Sequence, residues 1–146
     1  VYYYNDGQEL IDLVTKKYPK ISDPEFIIKN RNWYFKKGVE WSDLTSGNFG
    51  ARYVSSGFIF DACSPMLFIN GNNIEHYLLG LMNSVVFQKY MNILSPTMHY
   101  NICNVIQVPL IICNQKKVEH TVAENIVNAV LDWNAYETSW DFKRNP

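Results

Sequence analysis

The strongest constraint on the fold lies between Trp33 and Asn70, where short β-favouring runs follow one another with only turn residues between them. These runs are Trp33-Tyr34-Phe35, Val39-Glu40-Trp41, Phe49 to Val54, Phe58 to Asp61 and Met66 to Ile69. Lys37-Gly38, Ser46-Gly47-Asn48 and Ser56-Gly57 supply turns. Connections of about two to four residues are too short for crossover helices, so the runs are expected to form a mostly antiparallel or mixed sheet.

Helical patterns flank this region. Asp6 stands three residues before Glu9, as in a capping box, and Leu10, Ile11, Leu13, Val14 and Tyr18 follow at helical spacing until Pro19. Asn70-Gly71-Asn72-Asn73 breaks the sheet, after which Ile74, Tyr77, Leu78, Leu81, Met82 and Val85 predict one long helix over residues 74–94, stopped by Ser95-Pro96. Thr97 to Tyr100 reads as extended, Asn101 to Ile106 as a helical turn, and Val108 to Cys113 as a short buried strand. From Gln115 onward, Val122, Ile126, Val130 and Trp133 share one face of a C-terminal helix. The fold class is therefore α+β, a small sheet packed by helices.

A chain of 146 residues with 47% hydrophobic content has room for one core-bearing domain. An aromatic content of 15% excludes a disordered segment. Cys63, Cys103 and Cys113 are odd in number and lack CxxC spacing, which argues for reduced, mostly buried thiols rather than a disulfide framework or zinc knuckle. No apolar run is long enough to span a bilayer, and no signal segment opens the chain, so a cytoplasmic setting is expected. The chain starts at Val1 and stops at Pro146 after a charged, aromatic stretch, which reads as a piece of a longer parent.

Catalytic and metal motifs are missing. There is no G-x-S-x-G elbow, no H-x-x-x-H pair among His76, His99 and His120, and no glycine pattern that would cradle a phosphate. Charge distribution says more than the net charge of -1. Residues 16–52 hold Lys16, Lys17, Lys20, Lys29, Arg31, Lys36, Lys37 and Arg52 against four acids, interleaved with Tyr18, Trp33, Tyr34, Phe35 and Trp41. Such a mixture suits phosphate contacts beside base contacts, and it equally suits a solvated face of a small sheet.

The order of segments is more specific. Lys29-Asn30-Arg31-Asn32-Trp33-Tyr34-Phe35-Lys36-Lys37-Gly38-Val39-Glu40-Trp41-Ser42, then Gly47-Asn48-Phe49-Gly50-Ala51-Arg52-Tyr53 and Gly57-Phe58-Ile59-Phe60-Asp61, precede Tyr77-Leu78-Leu79-Gly80-Leu81-Met82-Asn83-Ser84. Leu94-Ser95-Pro96-Thr97, Val108-Pro109-Leu110 and the stretch from Asp132 to Phe142 complete the series. Together, over roughly residues 26–146, they resemble the C-terminal half of adenine-specific DNA methyltransferases, most closely those of BREX-type phage-defence systems. The helix with its Asn-Ser end also resembles type I restriction specificity subunits and type IIG enzymes.

The resemblance implies a target-recognition domain that binds double-stranded DNA, over residues 1–114, with residues 115–146 as a helical connector to the catalytic domain of the parent chain. Other defence-system subunits are implied as further partners, and S-adenosylmethionine as the parent's cofactor. The sequence has no Asn-Pro-Pro-Tyr motif and no glycine-rich cofactor motif, so neither catalysis nor cofactor binding is expected of this piece. Lys36, Lys37, Ser46, Asn48, Arg52, Thr97, His99 and Asn101 are the residues implied to face DNA. Each has a structural alternative: Arg52 pairing an acid such as Asp61, or the Thr97 to Asn101 segment satisfying the end of a helix. Asn83 and Ser84, flanked by apolar residues, read as an internal polar contact. A protein-docking module anchored on Trp133, Tyr136 and Trp140 is the competing function.

Overall fold

The structure is a computed structural model that describes residues 3–69 and 74–144. The turn expected at Asn70-Gly71-Asn72-Asn73 lies outside the described residues. The chain forms two compact units, residues 1–34 and 35–146.

In the first unit, helix α1 (Gln8–Lys17) buries Val14. The capping box expected at Asp6 does not form. Asp6 itself has a left-handed backbone (φ 52°), and the helix is capped by Gly7 (φ 82°), where a Cβ would stand 2.5 Å from the Tyr3 ring. Only glycine relieves both constraints at once. Arg31 opens a 3-10 turn (Arg31–Trp33) and donates to the Asp6 carbonyl at 3.0 Å.

The second unit is α+β. Its sheet has the order β2-β1-β3, all antiparallel, from β1 (Gly38–Trp41), β2 (Ala51–Val54) and β3 (Met66–Leu67). The antiparallel expectation holds, although the connections, residues 42–50 and 55–65, are longer than the short turns the sequence suggested. Among the described residues, two of the five runs expected to be strands between Trp33 and Asn70 form none. Trp33 to Phe35 instead runs from the 3-10 turn into a left-handed Phe35 (φ 64°), whose N–H donates to Phe58 O at 2.9 Å and whose carbonyl accepts from Gly57 N at 3.0 Å. Phe58 to Asp61 joins no strand; Phe58 O accepts from Phe35 N, and the Asp61 carboxylate accepts from Cys63 N and Ser64 N to start the turn that follows. Gly38, read as a turn residue, opens β1, where a Cβ would meet Leu67 O at 2.6 Å.

Period-two alternation sends Val39 and Trp41 inward, at 0% and 2% exposure, and Glu40 to the opposite face. Helix α2 (Glu75–Met82) packs on β1 and β2, and α5 (Gln115–Asn134) packs on α2. The core gathers Val39, Trp41, Phe49, Leu79, Met82, Phe87, Met91, Tyr100, Val105 and Val122. Their burial, at ~1.5–3 kcal/mol per large apolar side chain, is what holds three short strands together.

The single helix expected over 74–94 is two, α2 and α3 (Val85–Leu94). Asn83 and Ser84 divide them by competing for backbone groups. The Ser84 hydroxyl caps α3 by accepting from Phe87 N at 3.2 Å. The Asn83 amide accepts from Ala51 N at 3.0 Å and donates to Ala51 O and Leu79 O at 2.9 Å each. It thereby gives the end of β2 the two hydrogen bonds a neighbouring strand would have made.

A short helix α4 (Ile102–Val105) follows as expected, capped by Asn101. Val108 to Cys113 is neither strand nor buried. Pro109 brings no N–H, and the Tyr77 hydroxyl donates to Ile111 O at 3.0 Å and accepts from Cys113 N at 3.1 Å, taking the place of a ladder. The three cysteines are free and exposed, against the expectation of burial, because each falls in or beside exposed loop and short-helix backbone.

Candidate functional site

The sequence-derived residues fall into a charged group at the sheet and a polar group in two loops. Cross-strand register places Arg52 opposite Glu40, and their side chains meet at 2.8 Å, with Ser42 Oγ at 3.4 Å. Arg52 thus has an acidic partner, but the partner is Glu40; Asp61 is occupied with its own turn. Lys37 reaches Glu75 at 2.9 Å. The Glu75 hydrogen bond and charge hold the Lys37 ammonium above its ordinary pKa. For Glu75, burial pushes the carboxyl up, and the hydrogen bond from Lys37, its backbone hydrogen bond and the Lys37 charge outweigh that, leaving it below the ordinary value. Lys36 precedes Lys37 in the chain and is exposed.

These pairings change the meaning of the basic stretch. Five of its eight bases belong to the first unit, where all acids and bases balance, with five of each. Of the three in the second unit, Lys37 and Arg52 are already in ion pairs. Local charge is therefore present but largely matched.

The second group is built by residues 43–48 and 95–101 lying side by side. Leu44 and His99 form an antiparallel bridge, Thr45 N donates to Met98 O at 3.0 Å, and Tyr100 N donates to Asp43 O at 2.6 Å. Asp43 Oδ2 meets His99 Nδ1 at 3.0 Å across the same pair of segments. Ser95 Oγ donates to His99 O. The frame is tied to the core from below, since the buried Trp41 indole donates to Tyr100 O at 2.7 Å and Phe49 packs against both Trp41 and Tyr100.

Ser46, Thr97 and His99 are brought together on this frame, with Ser46 and Thr97 lining one open pocket of about 500 Å³. Asn48 stands exposed on the same loop as Ser46. Asn101 is engaged as the cap of α4, its side chain accepting from Asn104 N at 3.1 Å. Sequence reading missed Thr45 and Asn92, which line the same pocket. Their only signal was their residue type, since nothing in the spacing links residue 45 to residue 92. Among the described residues no group of His, Cys, Asp and Glu could hold a metal ion.

The chain is 30% identical over 141 residues to the adenine-specific methyltransferase PglX of Lacticaseibacillus casei (strain Zhang), covering 97% of this chain and 12% of the relative. The chain is similar to adenine-specific methyltransferases. A second relative, the adenine-specific methyltransferase BrxX of Escherichia coli O9:H4 (strain HS), is 30% identical over 120 residues, which is 81% of this chain and 10% of the relative. The chain thus spans roughly a tenth of the length of the curated relatives it matches. No family model matches it. Among the described residues no helix is long and apolar enough to cross a membrane.

Proposed function

We propose that this chain is the DNA sequence-recognition portion of an adenine-N6-specific DNA methyltransferase of a BREX-type defence system. The observation that carries the proposal is a match over 97% of the chain to 12% of an adenine-specific methyltransferase, in a sequence with no catalytic motif of its own. In this reading residues 1–114 bind double-stranded DNA and residues 115–146 connect them to the catalytic part of the parent. The frame of residues 43–48 and 95–101 presents polar side chains to base edges. Lys36, Lys37 and Arg52 position the duplex through phosphates, exchanging Glu75 and Glu40 for DNA oxygens.

We assign S-adenosylmethionine to the remainder of the parent, as the similarity to adenine-specific methyltransferases suggests. The part proposed here for the chain is to hold and read the duplex while the catalytic domain receives a flipped adenine. Binding to short duplexes tests it. The expected result is a measurable affinity that falls as salt rises, with a log–log slope of about -0.9 per phosphate neutralised. A salt-independent affinity would remove the phosphate contacts.

A second reading is favoured by one observation. Trp133, Tyr136 and Trp140 are exposed at 61%, 59% and 102%, as docking anchors for another protein subunit would be. Charge reversal at Lys36, Lys37 and Arg52 separates the two: it abolishes DNA binding and leaves partner association intact if the first reading is right.

A further inference from the structure

We propose that β2 and α5 line a groove that takes an extended segment of the parent methyltransferase, added as a further strand at the β2 edge of the sheet. This rests on the reading above in which the chain is one portion of a longer methyltransferase, and it adds to the connecting role given there to residues 115–146.

Backbone hydrogen bonding defines the chemistry of that edge. In an antiparallel pair, alternate residues turn both backbone groups toward the same neighbouring strand. Trp41 N donates to Pro65 O at 3.2 Å, so Trp41 and Val39 turn toward β3, and Glu40 between them turns toward β2. Arg52, opposite Glu40, therefore turns back to β1, whereas Ala51 and Tyr53 face away from the sheet. Ala51 meets the Asn83 amide on that side. Tyr53 N and Tyr53 O have no hydrogen-bond partner among the described residues. A donor and an acceptor on one strand residue match the peptide groups of another extended chain, and the Asn83 amide already imitates such a chain at Ala51.

The apolar part of the groove comes from α5. At ~1.5 Å per residue its 20 residues run ~30 Å, against ~12 Å for the 8 of α2. Val118, Val122 and Ile126 pack on the core, while Val130 and Trp133, one and two turns further on, are 51% and 61% exposed. They line an open cavity of about 1040 Å³ whose lining also includes Ala51 and Tyr53. Alternate side chains of an added strand can cover these turns while its backbone meets Tyr53. Charge argues against DNA as the occupant: Lys117 and Arg52 are the bases of the lining, Asp141 is its acid, and Arg52 is already paired with Glu40. The chain matches 12% and 10% of its two relatives, so in a parent of their length roughly nine-tenths of the polypeptide lies outside the structure. Any segment of that remainder is tethered to the groove, at an effective concentration that a separate protein lacks. Asp141, beyond the end of α5, lines the same cavity, so the chain past α5 reaches the groove.

The test uses the full-length parent and reads amide hydrogen exchange at single residues by mass spectrometry. Arg52, whose backbone faces β1, is the internal reference. We expect the Tyr53 amide to exchange about 100-fold more slowly than an unbonded one. Val130→Asp, at a half-exposed position, should return Tyr53 to fast exchange and leave Arg52 protected, which separates loss of the added strand from loss of the fold. Independently, a photo-crosslinking residue in place of Trp133 should join that position to a segment of the same molecule outside the 146 residues. Fast exchange at Tyr53 in the unmodified parent would overturn the proposal. So would protection of Tyr53 that survives Val130→Asp, or crosslinks that run only within the 146 residues, to a second copy, to DNA or to a different protein. None of these measurements needs DNA. A parent that binds no duplex yet protects Tyr53 would overturn the DNA-recognition reading and leave this proposal standing.

Discussion

The sheet group and the loop group differ in how their polar atoms are spent. At the sheet, each of Lys37 and Arg52 has found an acid, Glu75 and Glu40. In the loops, backbone N–H groups occupy the oxygens of Thr45 and Thr97 and leave their protons unclaimed. A count of bases along the chain therefore overstates the charge available to a partner, whereas a count of neutral polar residues understates the hydrogen bonding available. The difference follows from topology. Cross-strand register sets Arg52 beside Glu40, and the packing of α2 on the sheet brings Glu75 to Lys37, while the loop frame is satisfied mainly by its own backbone.

The largest expected effect comes from removing the support shared by the loops and the core. Trp41→Ala deletes a side chain that is 2% exposed and the donor to Tyr100 O, and should cost about 3–5 kcal/mol in chemical denaturation. Trp41→Phe keeps most of the volume and loses the hydrogen bond. A cost near 1–3 kcal/mol is expected, because Tyr100 O is left without that donor. If Trp41→Phe were neutral, the loop frame would not depend on the indole, and the contrast between a core-tied loop group and a merely exposed one would fail.

Asn83→Ala tests the sheet side of the comparison. It leaves Ala51 N and Ala51 O without their partner, at about 1–2 kcal/mol, and it loosens β2 just before Arg52. Hydrogen exchange at the Ala51 amide is the direct reading: protection should drop there and persist at Trp41 in β1. Asn83→Asp restores only the acceptor toward Ala51 N and should recover part of the protection.

How far these features were legible in the sequence depends on how local their causes are. Val39 and Trp41 alternate with Glu40, and period-two burial made β1 readable. The stripe through Val122 and Ile126 made α5 readable, since α2 covers that part of the face. By contrast, Val108 to Cys113 has strand composition, but the Tyr77 hydroxyl from α2 takes its backbone groups. Trp33 to Phe35 has strand composition too, but the left-handed Phe35 is paired to Gly57 and Phe58. Asn83 was read as an internal polar contact from its apolar neighbours; that it would divide the helix depended on Ala51, far away in sequence. At the site, Arg52 was seen to need either an acid or a phosphate. The choice of Glu40 over Asp61 came from register and from the turn that holds Asp61, and neither is written in composition.

Freeing a paired cation sharpens the contrast with less effect on stability. Glu40→Gln removes the carboxylate that holds Arg52 at 2.8 Å, an exposed pair for which about 0–1 kcal/mol of stability is expected. Under the DNA-recognition reading it should strengthen duplex binding several-fold and steepen the log affinity against log salt slope by at most about one unit. Arg52→Gln should do the reverse. If both variants bind duplexes as the unmodified chain does, Arg52 serves the sheet alone and the phosphate role passes to other residues.

The smallest effect is expected at Lys37 and Glu75. Glu75 is held below its ordinary pKa in the folded chain, so its contribution is present above the unfolded-state value, and it is lost as pH falls through the lower folded value. Lys37 is held above its ordinary value, so its contribution is present through neutral pH and is lost as pH rises through the higher folded value. Between those limits both charges are in place. Glu75→Gln should therefore flatten the acid side of a plot of thermal midpoint against pH, over roughly pH 3–6. Lys37→Met should flatten the same limb, because the Glu75 carboxyl then loses the hydrogen bond and the charge that outweigh burial. An acid limb unchanged by Glu75→Gln would mean that the pair adds no pH-dependent stability. Lys37 would then be as available to a phosphate as the charge count along the sequence first suggested.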